Sequence, residues 1–384
     1  MRQMQMLKRT PSCGLLSLLL GVIGLAILLS ACVGTPCVLA TPAPPHVALA
    51  EESGVIYVRT GYGYGPGAVF GPANSFQASD GTRLTKTVPG GFLGTGPEAV
   101  YVDQPGMFEA LQASDYSLRW QYPAGTVDGL AVGDSVVYLA DHSATSAEVV
   151  ALRASDGVVL WRYQATTGIV TRLTASAGLV SFLAGGMLVT VHASDGSVAW
   201  QQDERSLDVS SLTLEAGSVY LDGFTAEDTS GQVEALRASD GTLLWQHKSD
   251  QGHQRLLAVQ SDAVYLGNDA TFIAVRASDG TALWRQPIVG AANAVAAVES
   301  GTLYLALMGT LRAFQTSDGT LLWQQPIQSA INGYTYALVA TGDTLYLAVG
   351  GLTRQENGCS VIMAAYVVQA VRASDGKLLW SAHG

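Results

Sequence analysis

Charge is scarce in this chain. Charged residues make up 13% of its 384 residues, and lysine is the rarest of them. The balance is acidic, with 20 Lys and Arg against 31 Asp and Glu, a net −11. Phosphate binding needs clustered cations, so a nucleic-acid partner is excluded. Cysteine is also scarce, with four in all and no two adjacent. The sequence has no G-x-S-x-G elbow, no H-E-x-x-H zinc motif and no D-x-[DN]-x-[DN]-G calcium loop. The usual signatures of a serine hydrolase, a zinc protease and an EF-hand are thus missing. What is present is apolar material at 48% and 43 glycines, the profile of a β-rich protein with glycine turns and ample core.

The amino terminus reads as an address. Arg2, Lys8 and Arg9 precede "GLLSLLLGVIGLAILLS", seventeen residues without charge, and then Leu29-Ser30-Ala31-Cys32. A basic start, an apolar stretch and small residues describe a secretory signal. An uncleaved membrane helix is the alternative, and both readings place the rest outside the cytoplasm. "LLSAC" resembles a bacterial lipobox, which implies cleavage after residue 31 and acylation of Cys32. Loss of residues 1–31 removes three of the 20 basic groups and leaves 17 against 31 acidic ones, a net −14. Residues 32–45, rich in Pro and small side chains, are expected to form an extended tether. Of the remaining thiols, Cys37 and Cys359 could pair in an oxidising compartment or stay free.

From residue 46 one phrase recurs. "ALRASDGTLLW" around Asp240 aligns eight times on its aspartate: Asp80, Asp115, Asp156, Asp195, Asp240, Asp279, Asp318 and Asp375. Seven copies place a tryptophan five residues later: Trp120, Trp161, Trp200, Trp245, Trp284, Trp323 and Trp380, which are all the tryptophans of the chain. The first copy has Thr85 there, and the second has Tyr116 in place of the glycine. A second marker, an aromatic within an apolar strand, also counts eight: Tyr57, Tyr101, Tyr138, Phe182, Tyr220, Tyr265, Tyr304 and Tyr346. Internal periods of this size mark solenoids or propellers. Each unit reads as strand A, turn, strand B, loop, strand C, Asp-Gly turn, strand D. The Asp-Gly pair is expected to supply the positive φ angles of a two-residue hairpin. Strands that are apolar on both faces need neighbours on both sides, and radial repetition provides them. The expected fold is an all-β, eight-bladed propeller of four-stranded antiparallel blades over 46–384. Each strand-D tryptophan would pack on the adjacent blade. No strand would be shared where the ring closes, which would make that seam the weakest joint.

The phrase resembles the tryptophan-docking motif of pyrroloquinoline quinone (PQQ) propellers, A-x-D-x-x-T-G-K-x-x-W. Ala235, Gly241 and Trp245 fall on its alanine, glycine and tryptophan, while Arg237 and Asp240 replace its aspartate and threonine. The resemblance spans all eight units. It implies either a PQQ-dependent dehydrogenase, with quinone and calcium over the ring axis, or a non-catalytic lipoprotein of the BamB type that scaffolds envelope assembly. The missing adjacent cysteines and the little chain beyond the blades favour the second, with no cofactor and no metal. A surface receptor for polysaccharide or a small ligand is a further alternative.

In such a meander the A–B and C–D hairpins share one face, and the B–C and D–A loops share the other. The loop face is the variable one. Its longest inserts lie in units one and eight, where the aspartate comes 23 and 29 positions after the aromatic. The unit-one insert, with Tyr62, Tyr64 and Phe70 among glycines, is the candidate partner-binding loop. The unit-eight insert contains Cys359, so a bond to Cys37 would staple the seam. Asp103, Asp141, Asp222 and Asp269 cap strand B and read as solvated loop ends, with cation binding the alternative. His247 and His253 share a polar loop as weak candidate metal ligands. The expected partner is an envelope protein or wall polymer, met by a monomeric ring held to the membrane by its lipid.

Overall fold

The computed structural model describes residues 46–383 apart from 63–68, 71–72, 134, 144–145, 167, 205, 226–230, 250–251, 328–334 and 357–358. The lipobox, Cys32, the tether and Cys37 lie outside the described residues. Eight separate sheets follow one another along the chain. Unit five shows the pattern: strand A is Leu207–Glu215, B is Ser218–Thr225, C is Gln232–Arg237 and D is Leu243–Lys248, each hydrogen-bonded to the next. Strand B is buried on both faces; in unit six every residue from Ala263 to Gly267 is buried. Strand D alternates, with Trp245 buried between exposed Leu243 and Gln246, as befits an outer edge. Strand A is innermost. Each first strand touches that of the next unit, and the strand of unit eight (Thr335–Thr341) returns to that of unit one (His46–Glu52). Between units five and six the contact instead runs from Ser218–Thr225 to Arg255–Val259.

The blades are joined by one repeated contact. The Trp120 indole lies on the next unit's turn glycine, and a Cβ built on Gly157 would stand 2.6 Å from its Cε3. Its Nε1 donates to the Ala154 carbonyl at 2.8 Å. The same pair of contacts joins Trp161 to Gly196 and Ala193, Trp200 to Gly241 and Ala238, and Trp245 to Gly280 and Ala277. It continues through Trp284 with Gly319 and Thr316, and Trp323 with Gly376 and Ala373. Trp380 closes the ring on Gly81 and the Ala78 carbonyl, at 2.9 Å. No strand crosses the seam; Asn74 adds a bond to the Tyr366 hydroxyl at 2.5 Å. Each indole also lies against its own unit's strand-B aromatic where that residue is tyrosine, with ring centroids 6.1 Å apart for Tyr220 and Trp245.

Two details differ from the sequence expectation. The Asp-Gly turn is not a two-residue hairpin. Arg237 and Thr242 close a four-residue loop, Ala238 to Gly241, through Arg237 N–H to the Thr242 carbonyl at 2.8 Å. Only Gly241 has a positive φ, 74°. Asp240 acts through its side chain: Oδ1 accepts the Thr242 N–H at 2.9 Å, an Asx-type bond that holds its carboxyl below the usual range. Glycine is therefore required twice, by φ and by the indole on its Cα. Unit one also departs from the four-strand plan. Its B strand (Val55–Tyr62) pairs with Val69–Phe70 and with Asn74–Gln77, so strand C is split. Strand D shrinks to the single bridge Phe76 to Arg83.

Both departures from the repeat meet at one interface. Thr85 stands where unit one should supply an indole, and Tyr116 where unit two should supply the glycine beneath it. Tyr116 holds the left-handed conformation at φ 58° and places its ring 6.5 Å from Tyr57, edge-on. The aromatic partner of the Tyr57 ring thus comes from the neighbouring blade instead of its own. Tyr116 donates to Ser75 Oγ at 3.2 Å, and the Ala113 carbonyl, which has no indole to accept from, accepts the Tyr57 hydroxyl at 3.5 Å. A cleft lined by Glu52, Leu84, Thr85, Lys86, Glu98 and Tyr116 opens beside them.

Gly217 and Gly241 separate the two demands on glycine. A Cβ on Gly217, at φ +76°, meets nothing within 4 Å, whereas one on Gly241 stands 2.7 Å from the Trp200 ring. Urea unfolding should show Gly217→Ala losing about 1 kcal/mol, for backbone strain alone. Gly241→Ala should lose roughly 3 kcal/mol, since overpacking adds to the strain; equal losses would show that the indole contact is not tight. At the exceptional interface, Tyr116→Gly should cost about 1–2 kcal/mol. Adding Thr85→Trp should recover most of that loss by restoring the regular docking, and failure to recover would show that the two positions do not share one packing space.

Candidate functional site

Docking fixes the hairpin face. In every unit but the second, the C–D turn carries the glycine and the carbonyl that receive an indole, and it is tied to the A–B turn, as by the Ala238 N–H to the Gly217 carbonyl at 2.9 Å. The B–C and D–A connections carry no such duty, so chemical variety collects on the opposite, loop face.

Asp269 is an exposed loop end, as the sequence suggested, and Asp103 is partly exposed, but Asp141 and Asp222 are not solvated. Asp222 is fully buried and works between blades. It accepts Arg255 Nε and the Leu256 N–H, both at 2.9 Å, from unit six, and Ser211 Oγ at 2.6 Å from its own unit. Asp141 is buried and accepts the Gly125 N–H at 2.8 Å. Burial pushes its carboxyl above the ordinary range. Asp128 pairs with His142, and burial raises the Asp128 carboxyl too, against the opposing pull of that pair. Asp103 has a buried Oδ1 without a hydrogen-bond partner; burial first, then the charges of Asp141 and Asp128, raise its pKa. Asp269 stands 3.8 Å from His253, which also meets the Phe224 ring edge-on at 5.5 Å. His247 sits in strand D opposite Val233.

No three His, Cys, Asp or Glu side chains come together as a metal site among the described residues. The oxygens of Asp222 are engaged by Arg255, Leu256 and Ser211, and Asp141 by Gly125. Tyr62 ends strand B of unit one, paired with Val69, and Phe70 pairs with Gly61, so the insert begins as a continued ribbon; Tyr64 lies outside the described residues. Cys359 begins strand C of unit eight opposite Glu356, while its pairing with Cys37 falls outside the described residues. The Asp222–Arg255 bridge and the Thr85–Tyr116 exchange escaped sequence reasoning. The only available signal was that Thr85 and Tyr116 both break the repeat. No helix among the described residues is long and apolar enough to cross a membrane.

The eight docked sheets define a propeller of the PQQ-like class. The family described as outer membrane protein assembly factor BamB matches residues 76–256 and 229–384, and the chain belongs to that family. Among solved structures, it is similar to BamB from Moraxella catarrhalis at 17% identity and a TM-score of 0.52, over 76% of this chain and 84% of that one. It is similar to the computationally designed Ika8 protein at 14% identity and a TM-score of 0.59, over 80% and 95%. A europium-containing methanol dehydrogenase matches with a TM-score of 0.48 at 14% identity, over 70% and 73%. These likenesses concern the fold. A search of curated proteins finds no match.

The unpartnered carboxylate gives a pH-dependent prediction. A carboxyl with a raised folded pKa destabilises the fold where it is ionised, and that penalty fades as pH falls through its pKa. Asp103→Asn should therefore raise the urea midpoint at pH 7, with the gain shrinking towards pH 4. A gain independent of pH would assign the effect to something other than the charge.

Proposed function

We propose that the protein is an exported, non-catalytic scaffold of the bacterial envelope. After removal of residues 1–31 it is held to the membrane through lipid on Cys32. Its ring, acting as a monomer and without a cofactor, offers the loop face to an envelope protein or wall polymer. Membership of the BamB family carries this reading. The division of labour between the faces supports it: the repeat fixes the hairpin face for docking and leaves the other to diversify. Units two to six supply its charged part, with Asp208, His253 and Asp269 among the groups on offer. The candidate loop of Tyr62, Tyr64 and Phe70 belongs to the same face.

A photo-crosslinking side chain placed at Asp208 or Asp269 in intact cells should capture one envelope component. The same side chain at Asp240 on the hairpin face should not. The reading fails if all three positions behave alike. It also fails if added PQQ and calcium give alcohol- or sugar-dependent dye reduction.

A further inference from the structure

We propose that the cleft between units one and two, on the hairpin face, receives an arginine side chain from a basic segment of a protein partner. This site is separate from the loop face and independent of the tether. It also lies half a ring away from Asp240 of unit five.

The hairpin face is elsewhere committed to docking. The C–D turn of unit two receives no indole, because Thr85 stands in the place of the unit-one tryptophan. That turn is therefore free to carry other chemistry. The space beside it is an open cleft of about 510 Å³, within the range of ligand sites. Val55, Leu84 and Tyr116 give it an apolar wall. Ala113 also lines it. The equivalent carbonyls of other units take an indole N–H, at 2.7 Å for Ala238, whereas that of Ala113 has the Tyr57 hydroxyl at 3.5 Å. A strong acceptor is left poorly satisfied at the cleft.

Two of its lining residues keep side chains where the repeat elsewhere uses glycine. Tyr116, at φ 58°, takes the position of Gly241. Glu98, at φ 59°, takes the position of Gly54, Gly178, Gly217 and Gly301, all at positive φ. One hydrogen bond fixes that equivalence: Ala113 N–H donates to the Glu98 carbonyl at 3.0 Å as Ala238 N–H does to Gly217 at 2.9 Å. Left-handed backbone disfavours both side chains, and strain of this kind gathers where ligands are held.

Charge gives the occupant its chemistry. Glu52 Oε1 of unit one accepts the Glu98 N–H of unit two at 3.4 Å, so the two acidic side chains rim the cleft from adjoining blades. Among the described residues neither carboxylate forms an ion pair. The nearby bases are turned to neutral acceptors. Arg83 donates to the Asn74 side chain at 2.5 Å, Arg119 to the Glu98 carbonyl at 3.2 Å, and Lys86 to the Asp115 carbonyl. The nearby acids Glu51 and Asp115 are taken by their own turns, through the Gly54 and Ser117 N–H groups, both at 2.9 Å. Glu52 and Glu98 are thus left for a cation from outside. A guanidinium suits the set, because its planar fork reaches two carboxylates and a carbonyl together while its stem lies on the apolar wall. Lys86, 5.7 Å from the Tyr116 ring centroid, shows that this ring already takes a cation on its face.

Fluorescence anisotropy on the full chain in detergent tests this with a short dye-labelled peptide that carries arginine between two leucines. The peptide should bind, and its citrulline counterpart, which keeps the shape and loses the charge, should not. Glu52→Gln and Glu98→Gly should each raise Kd about tenfold, through loss of a charge-assisted hydrogen bond. Glu98→Gly should do so while raising the urea midpoint, which separates weaker binding from unfolding. Glu215→Gln and Glu299→Gln, at the place of Glu52 in units five and seven, whose indoles are docked, should leave Kd unchanged. No binding at millimolar peptide, equal binding of the citrulline peptide, or equal effects of all four substitutions overturns the proposal. Crosslinking at Asp208 or Asp269 tests the loop-face scaffold separately and is untouched by that failure.

Discussion

An indole laid on the bare Cα of a neighbouring blade's glycine governs this molecule. The contact supplies a large apolar burial, and the indole N–H meets a carbonyl that would otherwise be hidden without a partner. Every other regularity follows from it. The glycine cannot acquire a side chain without striking a ring, as the 2.6 Å distance at Gly157 shows. The residue three before it must present its carbonyl outward. The ring closes by the same means as it grows, through Trp380 on Gly81, so the seam lacks a shared strand but not the standard joint. Where the indole is missing, an aromatic ring enters from the other side, and Tyr57 turns its hydroxyl to the vacant carbonyl.

The same constraint divides the molecule's surfaces. Turns that dock cannot vary, and they lie on one face. Connections that do not dock are free to change, and they lie on the other. Asp222 shows how the free face can still be put to structural use, since its buried carboxylate bridges two units through Arg255. Arg255 is itself part-exposed, so the cost of breaking the bridge falls on Asp222, whose buried carboxylate would lose its one cationic partner.

Much of the fold was legible because the repeat is written in the chain. Two markers with separate spacings both counted eight, and apolar strands on both sides of a turn left radial packing as the consistent solution. The site was less legible. Asp141 and Asp222 looked like solvated ends because they stand near the end of strand B; the structure closes the first with Gly125, just before its own unit's strand A, and the second with Arg255 and Leu256 of the next blade. The Asp-Gly pair was read as two positive φ angles. The structure needs one, and uses the aspartate as a hydrogen-bond acceptor for the residue two further on. Thr85 and Tyr116 read as two separate lapses in the repeat, 31 positions apart, with nothing local to join them.

The sequence by itself determined the number of blades, the strand order within each and the residues that join them. Those properties depend on local hydrogen bonding and on side chains at fixed offsets, which a periodic text displays directly. Tertiary structure decided which blade's glycine each indole covers, that Tyr116 stands in for an absent tryptophan, and that Asp222 is a bridge. Each of these depends on groups from different blades, and their proximity is set by ring curvature and not by distance along the chain.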